Sequence, residues 1–198
     1  MTKTKQKYQN YKDSEVDWIA KVPKTWGVER VKSVIKDEQN GYWGSKEQND
    51  ENDVKCIRVA DFDYQKLKVK DKKDFTVRNL SSDKIENLSL QKNDLLIEKS
   101  GGGDKTPVGR VVIFDKNFEA ICSNFIARLK TRNNCDNKFL NYVFAWLYYI
   151  DLNTRSIKQT TGIQNLDTYQ YFCEKFPLPP KKEQQKIANY LDEKTSKI

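Results

Sequence analysis

Asp94-Leu95-Leu96-Ile97, the connection Lys99-Ser100-Gly101-Gly102-Gly103-Asp104-Lys105-Thr106, and Val108-Gly109-Arg110-Val111-Val112-Ile113-Phe114 set the architecture. A short, unbroken apolar run bounded by polar turn residues reads as a strand covered on both faces. Glu119 to Cys122 and Asn124 to Leu129 repeat the signature downstream, after the turn Asp115-Lys116-Asn117. Upstream, Val54 to Val59 is another strand, running into the acidic turn Asp61-Phe62-Asp63. Ser82 to Leu88 reads as a short helix in which Asp83 and Glu86 have capping-box spacing. Lys138 to Ile150 is firmly helical, with Phe139, Val143, Trp146 and Ile150 in one stripe and Leu140, Phe144 and Leu147 beside it. Such a stripe belongs to a core rather than to a cofactor site.

The flanks are less regular. Tyr11 to Ile35 reads as an extended entry followed by a compact helix, because Val28, Val31, Val34 and Ile35 fall at helical spacing after Pro23 and Gly27. Gly41 to Asp53 is a polar loop that nevertheless carries Tyr42 and Trp43, which serve either as anchors or as ligand contacts. Asn153 to Gln164 reads as a polar loop as well. The prolines of Phe176-Pro177-Leu178-Pro179-Pro180 end one element and launch the next, and Lys181 to Ile198 contains no breaker. As a helix it would be about 27 Å long at 1.5 Å per residue. The expectation is an α+β domain with a C-terminal helix that projects from it.

Composition narrows the chemistry. A chain of 198 residues is one domain with at most a short appendage. With 37% hydrophobic and 12% aromatic residues it can build a core, which rules out wholesale disorder. The longest apolar stretch, Phe139 to Ile150, falls short of the roughly 20 residues of a membrane span, and the N-terminus has no apolar leader. A cytosolic protein without membrane contact is expected. The absence of histidine excludes Ser-His-Asp and Cys-His catalysis and His-ligated metals. Cys56, Cys122, Cys135 and Cys173 are widely spaced, and the first, second and fourth sit among apolar neighbours, as buried thiols do. The net charge of +8 is clustered at Lys3, Lys5, Lys7 and Lys12 and from Lys66 to Lys73. That fits a polyanion partner, and equally a solvated lysine-rich surface.

Enzymatic alternatives fail on spacing. A phosphate loop needs glycine before Lys-Thr and a helix after it, but here Asp104 precedes Lys105, and Pro107 and a strand follow. A metal-dependent nuclease needs converging carboxylates, and the adjacent Glu98 and Lys99 point to opposite faces of a strand. Leu178-Pro179-Pro180-Lys181 lacks the flanks of a base-methylation motif. The glycine-rich loop with Lys99, Lys105 and Arg110 can still approach a DNA backbone or base edges, or be a flexible connection. Gln159-Thr160-Thr161-Gly162-Ile163-Gln164-Asn165 is rich in amides that can pair with adenine, or with neighbouring loops.

Several segments together resemble the specificity (S) subunits of type I restriction-modification systems. Tyr11 to Ile19 with Val22 to Trp26 resembles their opening. Ile57 to Asp61, Asp94 to Ile97 with Lys99-Ser100-Gly101, Val108-Gly109-Arg110 and Thr161 to Leu166 resemble motifs of their target recognition domains. Phe176 to Pro180 with Glu183 to Ala188 resembles the entry into their spacer helix. Each is a weak signal alone; in this order, over essentially the whole chain, they are specific. The resemblance implies a recognition domain over residues 1–178, built on a mixed or antiparallel sheet with packed helices, and the start of the spacer helix over 179–198. It also implies sequence-specific binding of double-stranded DNA, reading one half of a bipartite target. In that family the modification subunits bring S-adenosylmethionine and methylate adenine, the restriction subunit brings translocation and cleavage, and the S subunit brings recognition. No catalytic residue, metal or cofactor is therefore expected in this chain.

The expected DNA contacts are Tyr42, Trp43, Ser45 and Lys46 in one loop. Lys99, Ser100, Gly101, Gly102, Lys105, Thr106 and Arg110 are expected in a second, and Gln159, Thr160, Thr161, Gln164 and Asn165 in a third. The partners would be duplex DNA and the modification subunit, and through it the restriction subunit. Subunits of this family carry two recognition domains joined by long helices, whereas this chain has one and ends early in the first helix. Alone it is expected to be monomeric. The competing readings are a stand-alone nuclease, a single-stranded nucleic-acid binder and a protein-interaction module.

Overall fold

The fold comes from a computed structural model, which describes residues 8–103, 105–159 and 162–195. At its centre lies the strand Leu95–Glu98, all of it buried. It pairs antiparallel with Val111–Ile113 on one side and with Ile126–Thr131 on the other, in registers such as Leu96↔Val112 and Leu96↔Arg128. The sheet continues through Ile35–Asn40 at one edge and through Lys68–Val69 and Phe62–Asp63 at the other. Alternation along the central strand distributes its side chains between two cores. Leu95 and Ile97 pack with Phe139, Leu140, Phe144 and Leu147, whereas Leu96 packs with Phe62, Phe114 and Ile126.

Behind that second core stands a four-stranded sheet. Ala120–Cys122 runs parallel to Asp53–Ile57, which pairs with Thr76–Asn79 and, beyond it, Ser45–Lys46. The helix α1 (Ser82–Leu88) closes its far side through Ile85, which meets Val54, Cys56, Leu80 and Ile121. The turn Asp115-Lys116-Asn117 therefore joins strands of two different sheets. On the other side α2 (Asn137–Tyr149) covers the six-stranded sheet, capped by the Asp136 carboxylate, which accepts from the Phe139 N–H at 3.0 Å. After the short α3 (Thr168–Tyr171), α4 (Lys181–Thr195) lies along α2.

Several elements differ from the sequence reading. The extended entry is a hairpin, Tyr11–Val16 with Ile19–Pro23, but the compact helix expected after it is instead the strand Gly27–Arg30 and a 3-10 turn, Val31–Ser33. Val31, Val34 and Ile35 are buried as expected, but through a turn between two strands that mimics helical spacing. Gly27–Arg30 pairs with Lys175–Leu178, a partner with no local signal. The polar loop over 153–164 is instead a 3-10 turn, Leu152–Ser156, and a hairpin of Ile157–Gln159 with Gln164–Leu166. In α1 the N-cap is Ser81, whose side chain makes no capping bond. In α2 the buried face is Phe139, Leu140, Phe144 and Leu147, while Trp146 is 45% exposed and stacks on Tyr149. The buried cysteines are Cys56, Cys122 and Cys135, whose thiols burial pushes up to about 12; Cys173 is half-buried.

The start of α4 is fixed by Gln184, fully buried and fully bonded. Its amide nitrogen donates to the Pro179 carbonyl (2.8 Å) and the Asn134 carbonyl (3.1 Å), and its oxygen accepts from the Asp136 N–H (2.8 Å). Trp26 Nε1 donates to Glu183 at 3.0 Å, and Asp192 takes bonds from Lys138 and Tyr142 of α2. The described part of the C-terminal helix is thus tied to the domain along its length.

Phe144→Ala should lower the unfolding free energy by about 3–5 kcal/mol, the scale of emptying a buried aromatic site. Trp146→Ala should cost about 1 kcal/mol or less, because that ring lies outside the core. Urea denaturation of the two variants checks the face assignment.

Candidate nucleic-acid interface

The turn from Cys122 to Ile126 organises one end of the molecule. Its carbonyls receive N–H groups from two loops: Gly41 donates to Ile126 and Tyr42 to Cys122, both at 2.9 Å, and Lys99 and Ser100 donate to Phe125 at 2.8 and 3.2 Å. The third loop is joined through the second by the short pairing Ser100↔Asn165 and Gly101↔Gln164. Two of the expected contact loops are therefore bonded to one turn, and the third is tied to it through the second. Gly41 permits the closest approach, since a Cβ there would overlap the Cys122 and Ser123 carbonyls.

In the first loop Trp43 is 37% and Tyr42 44% exposed. The Arg78 guanidinium lies 4.2 Å over the Trp43 ring while its Nε donates to the Trp43 carbonyl, and Lys84 lies 4.2 Å over Tyr42. These aromatics are anchored by cations and still present ring surface. Ser45 donates to the Asn79 carbonyl at 3.2 Å, and Lys46 is exposed.

In the second loop several expected cations and amides turn inward. Lys99 donates to Glu38 (2.9 Å) and Asn40 (2.8 Å), and Glu38 also accepts from Thr168. Ser100 donates to the Asn165 side-chain oxygen at 2.6 Å. Gly102 sits at φ +60°, against the Gln164 amide oxygen and the Thr106 carbonyl. Gln164 is buried, and that oxygen accepts from the Val108 N–H at 3.2 Å. Reciprocal backbone bonds between Gly103 and Thr106 close the tip, where Lys105 and Thr106 are exposed. Arg110 is half-buried between the Tyr64 and Tyr148 rings, 4.1 and 4.9 Å away. In the third loop Gln159 and Asn165 are exposed, while Thr160 and Thr161, like Asp104, lie outside the described residues. Much of the lysine cluster over 66–73 is also spoken for: Lys68 pairs with Asp71 and Asp115, Lys72 with the buried Asp61, and Lys70 donates to the Ala60 carbonyl.

Four residues that the sequence reading passed over belong here: Arg58, Ser123, Asn124 and Phe125. With Trp43, Val59 and Ala60 they line a cleft of about 490 Å³ beside the organising turn. The strand expected from Asn124 begins instead at Ile126, which leaves Asn124 and Phe125 in the turn. The available signal was a polar Ser123-Asn124 pair interrupting two apolar runs, which is a turn signature.

Beneath Gly101 lies the buried carboxyl of Glu98. Burial pushes its pKa up to about 7, with Arg110 pulling the other way. The native state therefore favours the protonated acid, and the stability this confers is full below the unfolded pKa, near 4.5, and lost as pH rises through about 7. Glu98→Gln, neutral at every pH, should flatten the fall in thermal midpoint between about pH 5 and 8 and exceed wild type at the upper end. Gly41→Ala should cost about 1–3 kcal/mol through forced backbone displacement. Thermal unfolding of both variants across pH tests the two expectations.

The family model "Type I restriction modification DNA specificity domain" matches residues 23–198. No curated protein matches the sequence significantly. Among solved structures, the HsdS subunit from Thermoanaerobacter tengcongensis superposes with a TM-score of 0.57 at 19% identity, over 92% of this chain and 39% of that one. The type I restriction-modification S subunit from M. genitalium gives 0.56 at 20% identity, over 84% of this chain and 38% of that one. A structure described as the basis of complex assembly and conformational transition of the type I R-M system gives 0.58 at 16% identity, over 94% and 41%. The chain thus spans about two-fifths of the length of each, and at these identities the likeness is one of fold. With the family model covering most of its length, the chain belongs to the type I restriction-modification DNA specificity family.

Proposed function

We propose that the chain is a DNA reader: it binds one half of a bipartite duplex target as the specificity component of a type I restriction-modification complex, and contributes no catalytic step. The observation that carries this reading is the linkage of three loops, two bonded to the Cys122–Ile126 turn and the third paired to the second of them, which brings exposed aromatics, cations and amides together. Phosphate contacts would fix register and base-edge contacts would read sequence. The exposed Lys46 and Lys105 suit the first role, and Gln159 and Asn165 the second. Lys99, Arg110 and Gln164 would act by holding the loops in place.

Residues 1–178 would form the recognition unit and 179–198 the start of the spacer helix. The modification subunit, and through it the restriction subunit, would be the protein partners, in the cytoplasm. No helix among the described residues is long and apolar enough to cross a membrane. Alone the chain would be monomeric, since α4 spends Gln184 and Ala188 on its own domain.

Selection from a random duplex pool at low salt, followed by a salt titration, tests the reading. A short enriched motif is expected, with log affinity falling against log salt by about 0.9 per neutralised phosphate. Lys105→Ala should weaken all duplexes alike and reduce the slope by about one phosphate's worth, whereas Asn165→Ala should cost about 1–3 kcal/mol and relax a single position. Preference for single strands over duplex in competition, or binding indifferent to salt, would sink the proposal.

A further inference from the structure

The cleft beside the organising turn has a composition that loop contacts to an intact duplex do not explain. Two exposed rings, Trp43 and Phe125, line it together, and Phe125 is 45% exposed. The Trp43 ring carries the Arg78 guanidinium 4.2 Å away, so it is already braced in place. Two other residues lining the cleft, Ser123 and Arg58, carry polar atoms with unused capacity. Ser123 is 2% exposed and its hydroxyl has no hydrogen-bond partner; Arg58 Nε is buried, also without one, and stands 3.9 Å from the nearest Asp61 oxygen. Buried polar atoms gain from being paired, and these two belong to residues of the cleft wall, where a ligand can supply a partner. No carboxylate lines the cleft.

Two aromatic rings together with a hydroxyl and a guanidinium N–H among the lining residues fit a planar heterocycle with donors and acceptors on its rim. An aromatic or aliphatic side chain from a protein partner would fill the same space and leave Ser123 and Arg58 unpaired. The volume of about 490 Å³ lies within the range of roughly 300–1,000 Å³ for small-molecule sites. Inside a duplex both faces of a base are covered by its neighbours, so a base reaches such walls only after leaving the stack.

We propose that the cleft between Trp43 and Phe125 takes a single nucleobase turned out of the bound DNA, stacked on the rings and bonded at its edge by Ser123 and Arg58. This rests on the DNA-reading function above and adds a base-capture site to it. The cost of unstacking makes an already unpaired nucleotide the preferred occupant.

The test uses the full chain and two duplexes of one sequence, one fully paired and one with a single extra, unpaired 2-aminopurine. The bulged duplex should bind roughly tenfold tighter, the scale of one base–aromatic stack, with its fluorescence quenched on binding. In Phe125→Ala and Trp43→Ala the ratio of the two affinities should fall to about one. Ser123→Ala, a minimal change at a buried site, should lower the ratio several-fold with folding intact by circular dichroism. Equal affinity of the wild-type chain for both duplexes, with salt-sensitive binding retained, would overturn the base site and leave the DNA-reading function standing. A bulge preference that survives in all three variants would reflect DNA flexibility and overturn the site as well. Binding to neither duplex would remove both.

Discussion

Burial of every side chain on the strand Leu95–Glu98 is the constraint from which the rest of the molecule follows. A strand covered on both faces has one workable register, since a slip of one residue would exchange the contents of two cores. That register fixes Val111–Ile113 and Ile126–Thr131 on either side, and with them the positions at which the chain leaves the sheet. The strand's exit delivers Lys99 and Ser100 to the Phe125 carbonyl, and the entry of Ile126–Thr131 forms the turn that receives them. The geometry of the candidate interface is thus set by apolar packing several residues away from it.

The charge of +8 looks different once the ion pairs are placed. Lys68, Lys72, Lys99 and Arg110 are occupied by carboxylates or rings of the same molecule. Asp71 is held down to about 2 by Lys116 and Lys68, so part of the lysine cluster over 66–73 is balanced within the molecule. A polyanion approaching the loops would therefore meet Lys46 and Lys105 rather than Lys99 and Arg110. Such a surface suits discrimination better than indiscriminate attraction.

The central strands and the second helix were legible in the sequence because their signals are local: unbroken apolar runs and a 3.6-residue period. The entry segment was not. Val28, Val31, Val34 and Ile35 satisfy helical spacing, yet the strand Gly27–Arg30 is decided by Lys175–Leu178, far along the chain. The hairpin over 157–166 was hidden by its polarity, its pairing again being tertiary. The site divides in the same way. Residue types and loops could be read, but Lys99 finds Glu38 across 61 positions and Gln164 finds Val108 across 56, and no local pattern shows that these groups are already spent. Phe125 carries no local signal, because the cleft it lines is completed by Arg58 and Trp43 from other elements.

The pairing of Gly27–Arg30 with Lys175–Leu178 places the beginning and the end of the intervening chain side by side. Everything that shapes the loop cluster lies between those two strands. An exchange of only that interval would replace the whole loop cluster, with both junctions in a backbone ladder whose bonds are indifferent to side-chain identity. The helix that follows is not independent of such an exchange, because an incoming interval must bring the Asn134 and Asp136 backbone groups that Gln184 bonds and an α2 face that Asp192 can hold.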